Sequence, residues 1–172
     1  MRLPFREPAR RLEIRFAVAP ALAALAKFYL PATRQGRRYA ESDYEAARRL
    51  AEWKALVRRS WSRIDVRRLD TPKKRIAFGD NVRFEVGVNL NGLKPEDVRV
   101  EFLIAKQLSR ENEVPPACHQ FQSEGVHTDK GEHRFVLELS PEHCGKLGYR
   151  IRLYPHHQLL THQFEMGMMR WL

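Results

Sequence analysis

VRFEVGVNLNGLKPEDVRVEFLI, residues 82 to 104, is the stretch that decides the fold. Val82, Phe84, Val86, Val88 and Leu90 alternate with small or polar neighbours. After Asn91-Gly92 and Pro95, the pattern resumes at Val98, Val100, Phe102 and Ile104. Successive side chains of an extended chain point to opposite faces, so a period of two sustained this long predicts strands with one buried face. The Asn-Gly step between them predicts two antiparallel strands joined by a turn.

Working outward, the period stays at two from Ile64 and Val66 to the end of the chain. Further strands are expected at 75–78, 119–123, 134–139, 148–154 and 166–171. Turn signals at Gly79-Asp80, Lys130-Gly131 and Pro141 separate them. Many short strands at such spacing predict a sandwich of antiparallel sheets. Gly148-Tyr149, at a strand start after a proline-containing crossover, resembles the tyrosine corner of immunoglobulin-like sandwiches, whose phenol ties back to the preceding loop. A long loop is expected at 109–117, where Pro115 and Pro116 oppose regular structure.

Before Ile64 the period is helical. Ala21 to Leu30 contains strong helix formers and is expected to stop at Pro31, because the residue before proline is pushed out of the α region. A second helix is expected from Ser42, which has the capping-box spacing to Glu45. Its positions Ala46, Leu50, Trp53, Val57 and Trp61 fall on one face. Leu50, Trp53, Val57 and Trp61 are the expected docking face, each tryptophan offering on the order of 200 Å² to a core. The fold class is therefore mainly β with N-terminal helices: a basic helical arm over 1–62 and an antiparallel immunoglobulin-like β-sandwich over 63–172.

The chain has 172 residues and a net charge of +10, enough for one well-buried domain with a helical arm. Residues 1–75 hold 20 Lys or Arg against 8 Asp or Glu, whereas 76–172 hold 11 against 13, so the whole surplus lies in the first part. Such a block suits nucleic acid, an acidic membrane or an acidic protein face. Because Glu41, Asp43, Glu45 and Glu52 are interspersed, a solvated helix surface is the preferred reading.

Cys118 and Cys144 form no CxxC pair; free, buried or partly buried thiols are preferred to a disulfide, since nothing resembles a secretory signal. The apolar run from Ala17 to Leu30 is broken by Pro20 and Lys27, so no membrane span is expected. The first sixteen residues are arginine-rich but contain no serine, unlike an organelle transit peptide, and a cytoplasmic location is expected.

Seven histidines invite a metal reading, with His156-His157 densest and His143 and His162 nearby. Neighbouring strand residues point to opposite faces, and no metal site is expected. No nucleophile elbow, phosphate loop, dinucleotide turn or zinc-protease helix is present, and no catalytic residue is assigned.

Six pieces of the chain, in order, resemble the C-terminal end of the α-glucan (glycogen) phosphorylase family in its bacterial branch with an added β-domain. They are KFYLPA at 27–32, the Trp53–Trp61 helix leading into IDV at 64–66, FGD at 78–80, LNGLKPEDVRVEF at 90–102, GYRIRLYPHH at 148–157 and MRW at 169–171. The likeness covers roughly residues 27–172 and rests on many short motifs. The resemblance implies phosphorolysis of α-1,4-glucans to glucose 1-phosphate, with pyridoxal phosphate held by a lysine of the catalytic core. Neither that lysine motif nor the substrate pockets match this chain, so no cofactor is expected in it and no activity from it alone. Residues 1–26 depart from the family pattern, and a truncated or frame-disrupted reading of a longer phosphorylase is expected.

Two functions follow. The first is a non-catalytic sandwich domain of a glucan phosphorylase, capping the catalytic core or contacting glucan or a neighbouring subunit. Its glucan-contact candidates are Tyr154, His156 and His157, near a strand end. The second is an independent module whose basic arm grips a nucleic-acid backbone or an acidic partner; the arginines crowd the helix while the aromatics sit among apolar residues, which disfavours it.

Overall fold

The computed structural model describes residues 22–71, 75–77, 79–106, 116–126, 131–140 and 145–172. A π-helical turn, Leu25–Tyr29, runs into α1 (Leu30–Ala40), and α2 (Glu45–Trp61) follows. Among the described residues eight strands come next: β1 (Asp65–Arg68), β2 (Val82–Asn89), β3 (Val98–Lys106), β4 (Ala117–Gln120), β5 (Gln122–Val126), β6 (His133–Leu139), β7 (Leu147–Pro155) and β8 (Arg170–Trp171). They form two four-stranded antiparallel sheets, ordered β1-β2-β6-β5 and β4-β3-β7-β8.

The alternation read from residues 82–104 holds, with Val82, Phe84, Val86, Val88, Val98, Val100 and Phe102 all buried. The pairing expected for it does not. β2 pairs with β1 and β6, β3 with β4 and β7, so the two strands lie in different sheets. Asn91 and Gly92 both take positive φ (46° and 88°), and the Leu93 amide bonds the Leu90 carbonyl at 3.0 Å, as in a tight hairpin turn. Leu90 and Leu93 are both buried, and the chain then continues through a one-turn 3-10 helix, Pro95–Asp97. That added length lets β3 enter the opposite sheet. Alternation specifies which face is buried, and both strands satisfy it by facing one core from opposite sides.

Phe84 and Phe102 meet across that core with ring centroids 4.5 Å apart, and Phe102 also touches Phe121 and stacks on Tyr149. Leu50, Trp53, Val57 and Trp61 of α2 belong to the same apolar cluster as the strand residues. At about 25 cal/mol per Å², burying two tryptophans of roughly 200 Å² brings up to about 5 kcal/mol each, so α2 is held mainly by this face.

Several local expectations are corrected. The helix does not stop at Pro31, since Leu30 keeps helical dihedrals (φ −63°, ψ −45°) and α1 continues to Ala40. Proline has no amide to offer the preceding turn; here it occupies the first turn of α1, directly after the π-helical turn that changes the bonding register. The Ser42–Glu45 capping box is not made, because Ser42, Asp43 and Tyr44 all take positive φ and no side chain caps α2. The stretch expected as one strand over 119–123 is two: the chain leaves β4 in one sheet, buries Phe121 and enters β5 in the other. Residues 75–77 form no strand; the Ala77 amide and carbonyl close a turn with Asp80. Of the strand expected over 166–171, only Arg170–Trp171 pairs, and turns occupy the segment before it.

The Tyr149 hydroxyl accepts a hydrogen bond from Arg68 Nη1 on β1, while residues 141–144, including His143 and Cys144, lie outside the described residues. So does most of the expected 109–117 loop; Ala117 opens β4. Cys118 is a free thiol, but exposed rather than buried or partly buried as expected, because β4 lies at the edge of its sheet. Among the described residues no helix is long and apolar enough to cross a membrane.

Phe102→Ala is expected to cost about 3–5 kcal/mol, the range for deleting a buried phenyl ring. Trp171→Ala, at a position 53% exposed, should cost less than about 0.5 kcal/mol. Urea denaturation of both variants checks this, and equal losses would contradict the core as described.

Candidate functional site

Asp97 is the last residue of the 3-10 turn and enters β3 buried. A carboxylate out of water needs donors, and Asp97 has two: Trp53 Nε1–H donates to its Oδ1 at 2.7 Å and the Lys94 amide to its Oδ2 at 2.8 Å. Its carbonyl also accepts from the His156 amide at 2.8 Å. One residue thus ties α2, the crossover and the end of β7 together.

Around this node opens a groove of about 1200 Å³, walled by α2, the Lys94–Val100 segment, Gln120–Ser123 and the His156–Leu159 turn. His157 lies against Trp53 with ring centroids 4.9 Å apart, and its Nδ1 accepts the Leu159 amide at 3.1 Å, which places its proton on Nε2. His156 Nε2 lies 2.9 Å from Arg99 Nη2; a guanidinium only donates, so this nitrogen accepts and the His156 proton sits on Nδ1. Burial holds both imidazoles below the usual histidine range, aided at His156 by Arg99 and His157; at His157 Asp97 opposes the fall and Arg49 adds to it. The Leu159 carbonyl accepts from Gln35 Nε2 at 2.6 Å and from the Tyr39 hydroxyl, anchoring α1 to the same turn.

Of the glucan-contact candidates, His156 and His157 line this groove, but Tyr154 does not. It is fully buried on the outward side of β7, its ring against Phe164, so it offers no face to a sugar. Its hydroxyl donates to Glu101 Oε1 at 2.6 Å. Arg152 Nε donates to Glu101 Oε2 at 2.7 Å, completing a tightly packed trio. Burial alone would raise the Glu101 carboxyl, but the hydrogen bonds from Tyr154, Arg152 and Cys118 outweigh it and hold the group below the usual carboxylate range. Burial and the adjacent Glu101 push the Tyr154 phenol up.

The docking face Leu50, Trp53, Val57 and Trp61 is buried within the chain's own core. Sequence reading missed Asp97 and Arg99 as parts of one site, although buried tryptophan nitrogens require acceptors and the crossover offers two adjacent acids, Glu96 and Asp97. Among the described residues no group of three or more His, Cys, Asp or Glu could hold a metal ion.

Trp53→Phe keeps the ring but removes the donor to a buried carboxylate, and should cost about 1–3 kcal/mol by chemical denaturation. Glu101 has a folded-state pKa below its unfolded one, so its contribution is full above the unfolded value and is lost as pH falls through the folded value. Glu101→Gln should therefore lower stability at pH 7 and flatten its decline on the acid side; an unchanged acid slope in denaturation curves would refute this.

The model for the glycogen phosphorylase C-terminal domain matches residues 61–172. The chain is 30% identical over 151 residues to a maltodextrin phosphorylase from Thermococcus litoralis, covering 84% of this chain and 17% of that one. It is 27% identical over 144 residues to a glycogen phosphorylase from Mycobacterium bovis and 26% to one from Mycobacterium tuberculosis, covering 82% of this chain and 16% of each of those. The chain thus spans about one sixth of the length of the curated relatives it matches. No solved structure matches it. With the buried Trp53 face leading into residues 61–172 as one apolar core, the chain belongs to the glycogen phosphorylase C-terminal domain family.

Proposed function

We propose that this chain serves as the non-catalytic C-terminal cap of a cytoplasmic α-1,4-glucan phosphorylase, its sheets forming an immunoglobulin-like sandwich that α1 ties to the catalytic core. The observation that supports this reading is the exposed apolar surface at the start of the helical arm. Leu22, Leu25, Phe28, Tyr29 and Leu30 are each between 47% and 66% exposed, whereas the far end of α1 is fastened to Leu159 through Gln35 and Tyr39. A contiguous patch of that kind on one short helical stretch is costly in water and fits a contact with a partner surface. The relatives' greater length supplies a natural partner, the rest of the same enzyme.

Chemistry belongs to that partner in this reading. Lys94, the lysine lining the groove, is 76% exposed and lies on the surface, which does not fit the enclosed lysine that pyridoxal phosphate needs for a Schiff base. The cofactor and the glucan-cleaving site would lie outside this chain, and the domain would contribute rigidity and contact area.

The decisive experiment is immunodetection of the native polypeptide with an antibody to residues 76–172. A band much larger than 20.2 kDa that carries pyridoxal fluorescence is expected, and a band at 20.2 kDa would overturn the reading. In the isolated chain, Leu25→Glu with Phe28→Glu should change stability by less than about 0.5 kcal/mol per site, as exposed positions do. In the longer enzyme the same pair should lower thermal stability clearly.

A further inference from the structure

Several arginines on the sheets are matched with carboxylates: Arg67 with Glu132, Arg68 with Asp70, Arg83 with Glu85, Glu124 and Glu138, and Arg152 with Glu101. Arg99, half-buried on β3, is not among them. Its Nη2 meets the acceptor nitrogen of His156, its guanidinium also interacts with the Tyr154 hydroxyl, its Nε is buried without a hydrogen-bond partner, and among the described residues no carboxylate pairs with it. The nearest acids are committed elsewhere, Asp97 to Trp53 and the Lys94 amide, Glu101 to Arg152 and Tyr154. A half-buried guanidinium left in this state lacks the counter-charge that ordinarily offsets its desolvation.

The groove beside it is rich in donors. Arg38, Arg49, Lys94 and Arg99 line it with Glu52, Glu96 and Asp97 as the carboxylates; Asp97 already accepts a hydrogen bond on each oxygen, and Arg49 is 3.6 Å from Glu45. Arg38 hydrogen-bonds only to Gln35 Oε1 at 3.3 Å, and Lys94 is 4.0 Å from Glu96. His157 presents an Nε2–H, since its Nδ1 is occupied by Leu159.

We propose that this groove binds a tetrahedral oxyanion, inorganic phosphate or a sugar phosphate monoester, with Arg99 as its principal partner and Lys94 and His157 as flanking donors. A guanidinium edge, an ammonium and an imidazole N–H reach the groove from separate segments, β3, the crossover and the turn after β7. A tetrahedral anion has acceptors in all those directions, whereas a planar carboxylate is satisfied by the guanidinium alone. The volume leaves room for the sugar of an ester. Anion binding would also relieve the repulsion by Arg99 that helps keep His156 neutral, so the His156 titration should move to higher pH on binding. The proposal does not depend on docking to a catalytic core.

The test is an NMR titration of the full 172-residue chain with sulfate, inorganic phosphate, glucose 1-phosphate and neutral maltotriose. Sulfate stays dianionic across the range in which His156 titrates, so it isolates the protein's own linkage. Saturable shifts at Arg99 and His156 with the three anions are expected, with an upward move of the His156 midpoint in sulfate. Tighter binding of glucose 1-phosphate than of phosphate would identify an ester as the occupant, and the reverse order would identify the free anion. Arg99→Gln should weaken binding about tenfold or more, and the surface change Lys94→Gln about two- to threefold, in line with losing charge-assisted hydrogen bonds. If Arg99→Gln fails to fold, Lys94→Gln alone decides. Shifts that never saturate, binding unchanged in Lys94→Gln, or saturation by maltotriose in place of the anions would overturn the proposal.

Discussion

A single buried carboxylate organises this domain. Asp97 accepts from the Trp53 indole on α2 and from the Lys94 amide of the crossover, and its carbonyl receives the His156 amide at the end of β7. Each bond is ordinary by itself. Together they make the position of α2, the point at which the chain changes sheets and the mouth of the groove depend on one another. Breaking one member of a buried polar set leaves the others unpaired, and that is what makes such sets costly to disturb.

The second organising feature is the division of labour between the inner and outer sides of the sheets. Inward positions are apolar and close-packed around Phe84 and Phe102. Outward positions carry paired charges, including Arg83 among three glutamates and the Glu101–Arg152–Tyr154 trio. Against that background Arg99, half-buried, facing the His156 imidazole and the Tyr154 hydroxyl and, among the described residues, no paired carboxylate, gives the groove its chemical character. The fit to a phosphorylase C-terminal domain and the groove's donors are separate properties: the first concerns what the domain leans on, the second what it can hold.

The inner faces were legible in the sequence because alternation is a local property, and so was the α2 face, because Leu50, Trp53, Val57 and Trp61 recur at helical spacing. Pairing was not legible. Val82–Asn89 and Val98–Lys106 look like a hairpin since Asn91-Gly92 adopts hairpin-like dihedrals, yet partner choice depends on β6 and β7, far along the chain. Phe121 illustrates the same gap: the residues around it alternate as one strand, and only the three-dimensional arrangement shows that the chain changes sheets there. For the site, His156 and His157 stood out by composition, and Tyr154 did too, but the sequence carried no sign that Tyr154 faces Glu101 beneath a covering turn. Arg99 and Asp97 were hidden among many charged residues, because what distinguishes them is which partners they find or fail to find.

The switch of sheets between β2 and β3 also bears on how the chain is made. Each of the two central strands has one ladder to a partner about fifty residues later, Val86 with Phe135 and Phe102 with Ile151, besides a nearer one to β1 or β4. At roughly 5–20 residues per second a ribosome needs about 3–10 s to deliver those partners. Through that interval each of the two apolar segments has only its nearer partner, β1 or β4, and such non-local pairing folds slowly once the later partners do arrive. The early, locally closed α2 is the element available to shelter them: its tryptophan face can cover the first strands on a nascent chain before the second half of either sheet exists.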